Sequence, residues 1–341
     1  MSKSSRRLGL AALGVLAFAG AAGAQIPGPS GLSVVARIAG PDGGWDYASF
    51  DAARGRIYVA HGTQVLSIDT RTGAVRPDFA AGARLHAVVP IPGSDLLLTT
   101  NSGDNTARIL SAADGHTLAS VPTAKDPDAA IYDPASGLVL VMGGDSGEIT
   151  LVDPKAARAT GAIVVGGALE YPALDGHGRL YVNREDKNDI AVIDLAGRKV
   201  VATYPMPGCL APTGLALVPG GRLVSSCANG VAQITDAATG RTIASLKIGA
   251  GPDAVIHDEI RQLAYIPSGR AGTLAVIALS GPASNTVIDT VPTQLGARTG
   301  ALDATTGRLY LPTAEYILPA PAGQRPAMKP GTFQVLVLDR R

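Results

Sequence analysis

Four carboxylates and one guanidinium recur at a fixed offset in this 341-residue chain. Asp46, Asp128, Glu170, Asp253 and Arg298 each stand five residues before a further Asp, at positions 51, 133, 175, 258 and 303. Grouped carboxylate oxygens suit hard cations such as Ca²⁺, which would polarise a carbonyl and activate water. They equally suit a cationic ligand, or raise one another's pKa by like-charge repulsion. The structural alternative is that these acids accept backbone N–H bonds or line a water-filled channel. Two intervals of the same length lack the second Asp. Arg84 and His86 fall in the first and Thr213 in the second. The sole Trp, Trp45, adjoins Asp46, while Tyr47 follows Asp46 and Tyr171 follows Glu170. Aromatic rings beside a few converging polar groups would make a ligand pocket. Packing of the Trp45 ring against the N-terminal segment would instead make it core.

The elements that must bring these residues together are written as a repeat of about forty residues. An Asp turn leads through Gly-Arg or a similar pair into a short apolar strand, as in Asp51…Gly55-Arg56-Ile57-Tyr58-Val59 and Asp175…Gly178-Arg179-Leu180-Tyr181-Val182. A second strand then ends in another Asp turn, as in Val65-Leu66-Ser67-Ile68-Asp69 and Ile190-Ala191-Val192-Ile193-Asp194. Asp opening a turn accepts from amides two and three residues on, and Gly supplies positive φ. With Pro90–Asp95 and Pro219–Arg222 filling the same role in the second and fifth units, the repeat counts seven units of four antiparallel strands. Such a unit cannot bury both faces alone, so radial stacking follows. The sequence therefore predicts an all-β, seven-bladed β-propeller. The last unit ends at Arg341 without a fourth strand, and Ser33–Ile38 is spare. The ring is expected to close by pairing that segment beside Val335–Asp339, which protects both edges.

Several phrases resemble the repeat of YVTN-type β-propellers, including periplasmic YncE-like proteins. They are Gly178-Arg179-Leu180-Tyr181-Val182-Asn183, Gly251-Pro252-Asp253-Ala254 and the Val-Ile-Asp strands, and the likeness covers nearly all of residues 33–339. Departures at Tyr58-Val59-Ala60-His61 and Leu223-Val224-Ser225 make the signature partial. The resemblance is specific for fold and weak for function, because propellers host many activities.

Residues 1–24 read as an export signal, with Lys3, Arg6 and Arg7 ahead of an apolar run and Ala22-Gly23-Ala24 as a cleavage site. Ser5-Arg6-Arg7 has the arginine pair of a twin-arginine signal, but Gly9 replaces a bulky apolar residue. Residues 25–341 then form a single periplasmic or secreted propeller, expected to be monomeric, with no membrane span. Net charge is +1 overall, and removing three basic residues with the signal leaves about −2. That field gives nucleic acid nothing to bind. Cys209 and Cys227 are the only cysteines, 18 residues apart on antiparallel neighbours. In an oxidising compartment they are expected to form a disulfide.

In a propeller the innermost strand of each blade descends the central channel, so the offset residues gather at its upper mouth. One loop breaks the pattern. Residues 313–331 form a long Pro-rich connection on that face, from which Glu315 and Tyr316 could reach the mouth. His61 and His86 fall on the upper face, and His116, His177 and His257 near lower turns. No Cys-x-x-Cys-His and no Gly-x-Ser-x-Gly is present. A single Trp argues against quinoprotein dehydrogenases, whose propellers carry repeated Trp docking motifs. The leading expectation is a non-catalytic exported propeller that binds a small molecule or a periplasmic protein at its upper face. The binding set is Trp45, Asp46, Arg84, His86, Asp128, Glu170, Thr213, Asp253, Arg298 and Tyr316. The alternative is a lactonase-like hydrolase or lyase holding Ca²⁺ with Asp46, Asp128, Glu170 and Asp253. Resemblance to lactonase propellers would also imply an Asn in the set, and none is evident among these mouth positions.

Overall fold

The computed structural model describes residues 30–282, 284–319 and 326–340. The export signal read at residues 1–24 lies outside them. The described residues form 28 strands, numbered β1–β28 in chain order, in seven four-stranded antiparallel sheets. These are the seven blades. Their innermost strands are β2 (Ala48–Asp51), β6 (Leu85–Pro90), β10 (Pro127–Asp133), β14 (Leu169–Leu174), β18 (Pro212–Val218), β22 (Ile256–Asp258) and β26 (Ala301–Asp303). Closure follows the expected register. β1 (Leu32–Ala39) is the outer strand of the last blade and pairs with β28 (Gln334–Arg340), with Ser33 opposite Asp339 and Ile38 opposite Val335.

The turns form for the reason legible in the sequence. Asp51 Oδ1 accepts from the amides of Ala53 at 3.0 Å and Arg54 at 3.2 Å. Asp303 does the same for Thr305 at 3.0 Å and Thr306 at 3.3 Å. Gly55 and Gly307 then take φ of 60° and 83°. The second and third strands of each blade are buried almost throughout, while outer strands alternate in exposure. The core therefore lies between blades. Leu140, Met142, Ile149 and Leu151 of the third blade meet Leu180, Val182, Ala191 and Ile193 of the fourth in one apolar cluster. Ile57, Val59, Leu66 and Ile68 of the first blade meet Tyr310, Val335 and Val337 of the last. This burial is the main favourable term holding the ring together.

Around the channel the innermost strands approach closely. A Cβ on Gly214 would lie 2.5 Å from backbone atoms of Ala254 and Val255 in the next blade. Polar bonds join neighbouring blades at the same level. Thr100 Oγ1 donates to the Asp128 carbonyl at 2.7 Å, Thr299 Oγ1 to that of Asp46 at 2.7 Å, and Thr213 Oγ1 to that of Pro252 at 3.2 Å. Asn183 Nδ2 donates to the carbonyls of Thr213 and Gly214, both at 3.0 Å. Asn183 is thus fully buried as a tie between blades rather than a channel ligand. Cys209 and Cys227 are disulfide-bonded, with Cα atoms 5.3 Å apart. Among the described residues no helix is long and apolar enough to cross a membrane.

Candidate site at the channel mouth

The mouth residues owe their direction to a break in strand pairing. In β6, Leu85 pairs with Asn101 and Val88 with Thr99, so His86 and Ala87 together oppose Thr100. The same two-against-one step places Asp128 and Ala129 opposite Met142, Glu170 and Tyr171 opposite Asn183, and Thr213 and Gly214 opposite Ser226. These are β-bulges, which re-aim a side chain locally. The first residue of each bulge is the one selected by the repeat, counting His86 for the second blade. No composition signal marks the bulges; they emerge only from the paired register.

One side of the ring is an ion-pair chain. Arg298 Nε donates to Asp253 Oδ2 at 2.8 Å, and its Nη2 donates to the Trp45 carbonyl at 2.7 Å and lies 3.7 Å from Asp46 Oδ1. Asp46 Oδ2 accepts from His86 Nδ1 at 2.7 Å. Asp128 Oδ1 lies 3.2 Å from that same nitrogen, within ion-pair range but without hydrogen-bond geometry. The other imidazole nitrogen, Nε2, is 2.9 Å from Ser102 Oγ. That hydroxyl donates to the Arg84 carbonyl at 3.2 Å, so its oxygen accepts from the ring. That set of contacts favours an imidazolium, with both ring nitrogens donating. Burial opposes this charge, yet Asp128 and Asp46 outweigh it and hold the pKa up to about 10.

The acids respond to burial and to one another. Burial first, then Asp46, pushes Asp253 up to about 7 against the pull of Arg298. Burial also raises Asp46, against its bond to His86. Glu170 is driven well above the usual carboxylate range by burial and then by Asp128 and Asp253. Its carboxyl makes no hydrogen bond or ion pair among the described residues. The mouth thus has a compensated side, built from the sixth, seventh, first and second blades. Its other side, Asp128 and Glu170 of the third and fourth blades, carries carboxyls with no cation of their own apart from the shared His86.

Other expected members stand differently. The Trp45 ring is only 8% exposed and packs on Phe333, with centroids 5.5 Å apart. Trp45 meets the mouth through its carbonyl, and the Arg298 guanidinium also lies over its ring, 5.9 Å from the centroid. The indole fills the seam between the first and last blades because the large apolar ring gains more from burial there. Thr213 is buried and turned to the neighbouring backbone. Arg84 is exposed at the rim, 3.7 Å from Asp126, leaving His86 as the second blade's contribution. In the 313–331 loop, Glu315 pairs outward with Lys329 at 3.0 Å instead of reaching the mouth. Tyr316 is half-buried against the Trp45–Phe333 cluster and close enough to Arg298 for each to bias the other's titration. Asp42 anchors the loop's return, accepting from the amides of Gly331, Thr332 and Phe333.

Two tyrosines close the channel beneath the ring. The Tyr47 and Tyr171 rings meet with centroids 5.1 Å apart. Burial, and then Glu170, Asp253, Asp128 and Asp46, raise the Tyr47 hydroxyl well above its ordinary value, so all four carboxylates act on this one phenol.

The metal quartet inferred from sequence does not converge as a unit. The group of potential ligand atoms lying within 4.8 Å of one another is Asp46, His86 and Asp128, while Asp253 is engaged by Arg298. His86 Nδ1 stands between the two aspartates, 2.7 Å from Asp46 and 3.2 Å from Asp128, in the space an ion shared by them would take. These residues therefore fit a hard, oxygen-seeking cation poorly.

No protein-family model matches the chain, and no curated protein sequence matches it. Solved structures do. The chain is similar to Kuenenia stuttgartiensis hydrazine synthase at TM-score 0.70 and 14% identity, covering 79% of this chain and 92% of that one. It is similar to a chain of the mitotic checkpoint complex at TM-score 0.69 and 14% identity, covering 89% of this chain and 96% of that one. At such identity the likeness carries the propeller fold alone.

Proposed function

We propose that this protein is an exported, non-catalytic propeller of the YVTN type whose upper channel mouth binds a small organic cation. The carrying observation is Glu170, a buried carboxyl with no hydrogen-bond or ion-pair partner among the described residues, next to Asp128, which has only a share of His86. An ammonium group seated there would stabilise the ionised form of Glu170 and give Asp128 a donor. Tyr47 and Tyr171 form the apolar floor beneath it. A disulfide and the export signal read at residues 1–24 support a periplasmic or secreted location. The test is calorimetric titration with a primary diamine such as putrescine. Saturable, salt-sensitive binding is expected, weakened about tenfold by Asp128→Asn, which corresponds to about 1.4 kcal/mol. Amine binding that is absent, or unchanged in both Asp128→Asn and Glu170→Gln, would refute it.

The second reading, a Ca²⁺-dependent hydrolase or lyase, is favoured by the closeness of Asp46 and Asp128. It requires His86 to surrender its Nδ1 proton to make room for the ion. Millimolar calcium would then raise the melting temperature of the wild type and not of Asp128→Asn. An unmoved melting temperature removes that support.

A further inference from the structure

Below the tyrosine pair the channel opens again into a cavity of about 280 Å³. Its walls come from the innermost strands of four blades, at positions one to four residues below the ring: 47–50, 171, 254–257 and 300–302. The space exists because Ala48, Ala254, Gly300 and Ala301 carry little or no side chain where larger residues would fill the channel. Two polar atoms of residues lining it are buried without a hydrogen-bond partner among the described residues, Ser49 Oγ and His257 Nε2. Buried polar groups are nearly always paired, and leaving one unpaired costs about 1–3 kcal/mol. Two such atoms in residues lining one cavity indicate a missing partner. Burial lowers the His257 pKa against the pull of Glu259 and Asp258, which favours the neutral imidazole. No other ionisable group except Tyr47 and Tyr171 lines the space.

We infer that this cavity is a second binding site, chemically opposite to the mouth, for an uncharged ligand with a compact flat ring and a hydrogen-bonding group. The apolar part of such a ligand would rest on Phe50, Val255 and the tyrosine rings, while its polar group meets Ser49 or His257. The volume suits a single substituted ring rather than a cofactor. The inference is independent of cation binding above, because Tyr47 and Tyr171 separate the two spaces.

The probe is phenol, with toluene as the analogue lacking the hydroxyl, titrated into the full mature chain and followed by calorimetry and the ¹⁵N resonances of the His257 imidazole. Phenol is expected to saturate a single site, to shift the His257 resonances, and to bind about fivefold or more tighter than toluene. Ser49→Ala and His257→Ala, which empty space rather than fill it, should each weaken phenol severalfold while the folded spectrum persists. Asp128→Asn should leave phenol binding intact. Several outcomes overturn the inference. They are no saturation up to the solubility of phenol, affinity indifferent to both lower-channel substitutions, or a phenol-soaked crystal in which only an ordered water bridges Ser49 and His257.

Discussion

Replacing His86 by Gln should destabilise the propeller in a manner set by pH. The imidazolium sits between Asp46 at 2.7 Å and Asp128 at 3.2 Å, and its side chain is 16% exposed. Its pKa stands at about 10 in the folded protein against 6.5 when free. The folded value is the higher one, so the associated stability is fully present below pH 6.5. It is lost as pH rises toward 10. At pH 7 it amounts to about 4 kcal/mol, and it declines by about 1.4 kcal/mol for each pH unit up to about 9.5. Removing one partner of a buried pair costs about 3–5 kcal/mol by independent measure, which agrees. In a domain of this size 4 kcal/mol lowers the melting temperature by about 6 °C. The assay is chemical and thermal unfolding of wild type and His86→Gln at steps from pH 6.5 to 10, with the imidazole titrated by NMR. The gap between the two proteins should be widest near pH 6.5–7 and should close by pH 10. Parallel curves across that range, or a His86 ring that titrates near 6.5, would refute the imidazolium and with it the compensated side of the ring.

Glu170→Gln should act in the opposite sense. Its pKa is raised, so the native carboxyl costs stability as pH climbs above 4.5. The variant should match wild type at pH 4 and unfold at higher denaturant at pH 8. For the same reason, binding of a small amine should tighten with rising pH in wild type but not in Glu170→Gln, as calorimetry at pH 6 and 8 would show. Gly214→Ala forces a Cβ into the backbone of Ala254 and should cost about 1–3 kcal/mol in urea unfolding. Removing the disulfide with Cys209→Ser and Cys227→Ser together frees an 18-residue loop. That should cost about 3 kcal/mol, or about 5 °C of melting temperature, by differential scanning calorimetry.

The chain's local chemistry determined the scaffold. Asp at 51, 133, 175, 258 and 303, followed by Gly or an equivalent, encodes turns by hydrogen bonds that span only two or three residues, so they are legible without knowing the fold. The count of blades follows from that period, and the spare segment at Ser33–Ile38 follows from the missing last strand. The common offset even gathered Asp46, Asp128, Glu170, Asp253 and Arg298 into one set. What they do to each other was decided elsewhere. The Trp45 carbonyl and Arg298 are 253 residues apart in sequence and bonded in space. The bulges that aim His86, Asp128 and Glu170 inward arise from pairing register, which spacing along one strand does not contain. The repeat offered Arg84 and His86 for the second blade, and only the paired strands chose His86. The sequence marked Trp45 as a candidate wall, but its ring found Phe333 across the closing seam. Charge and burial act through space rather than along the chain. Which carboxyl is paired, which is left with a raised pKa, and where the channel stays open were therefore settled only when the seven blades closed around one axis.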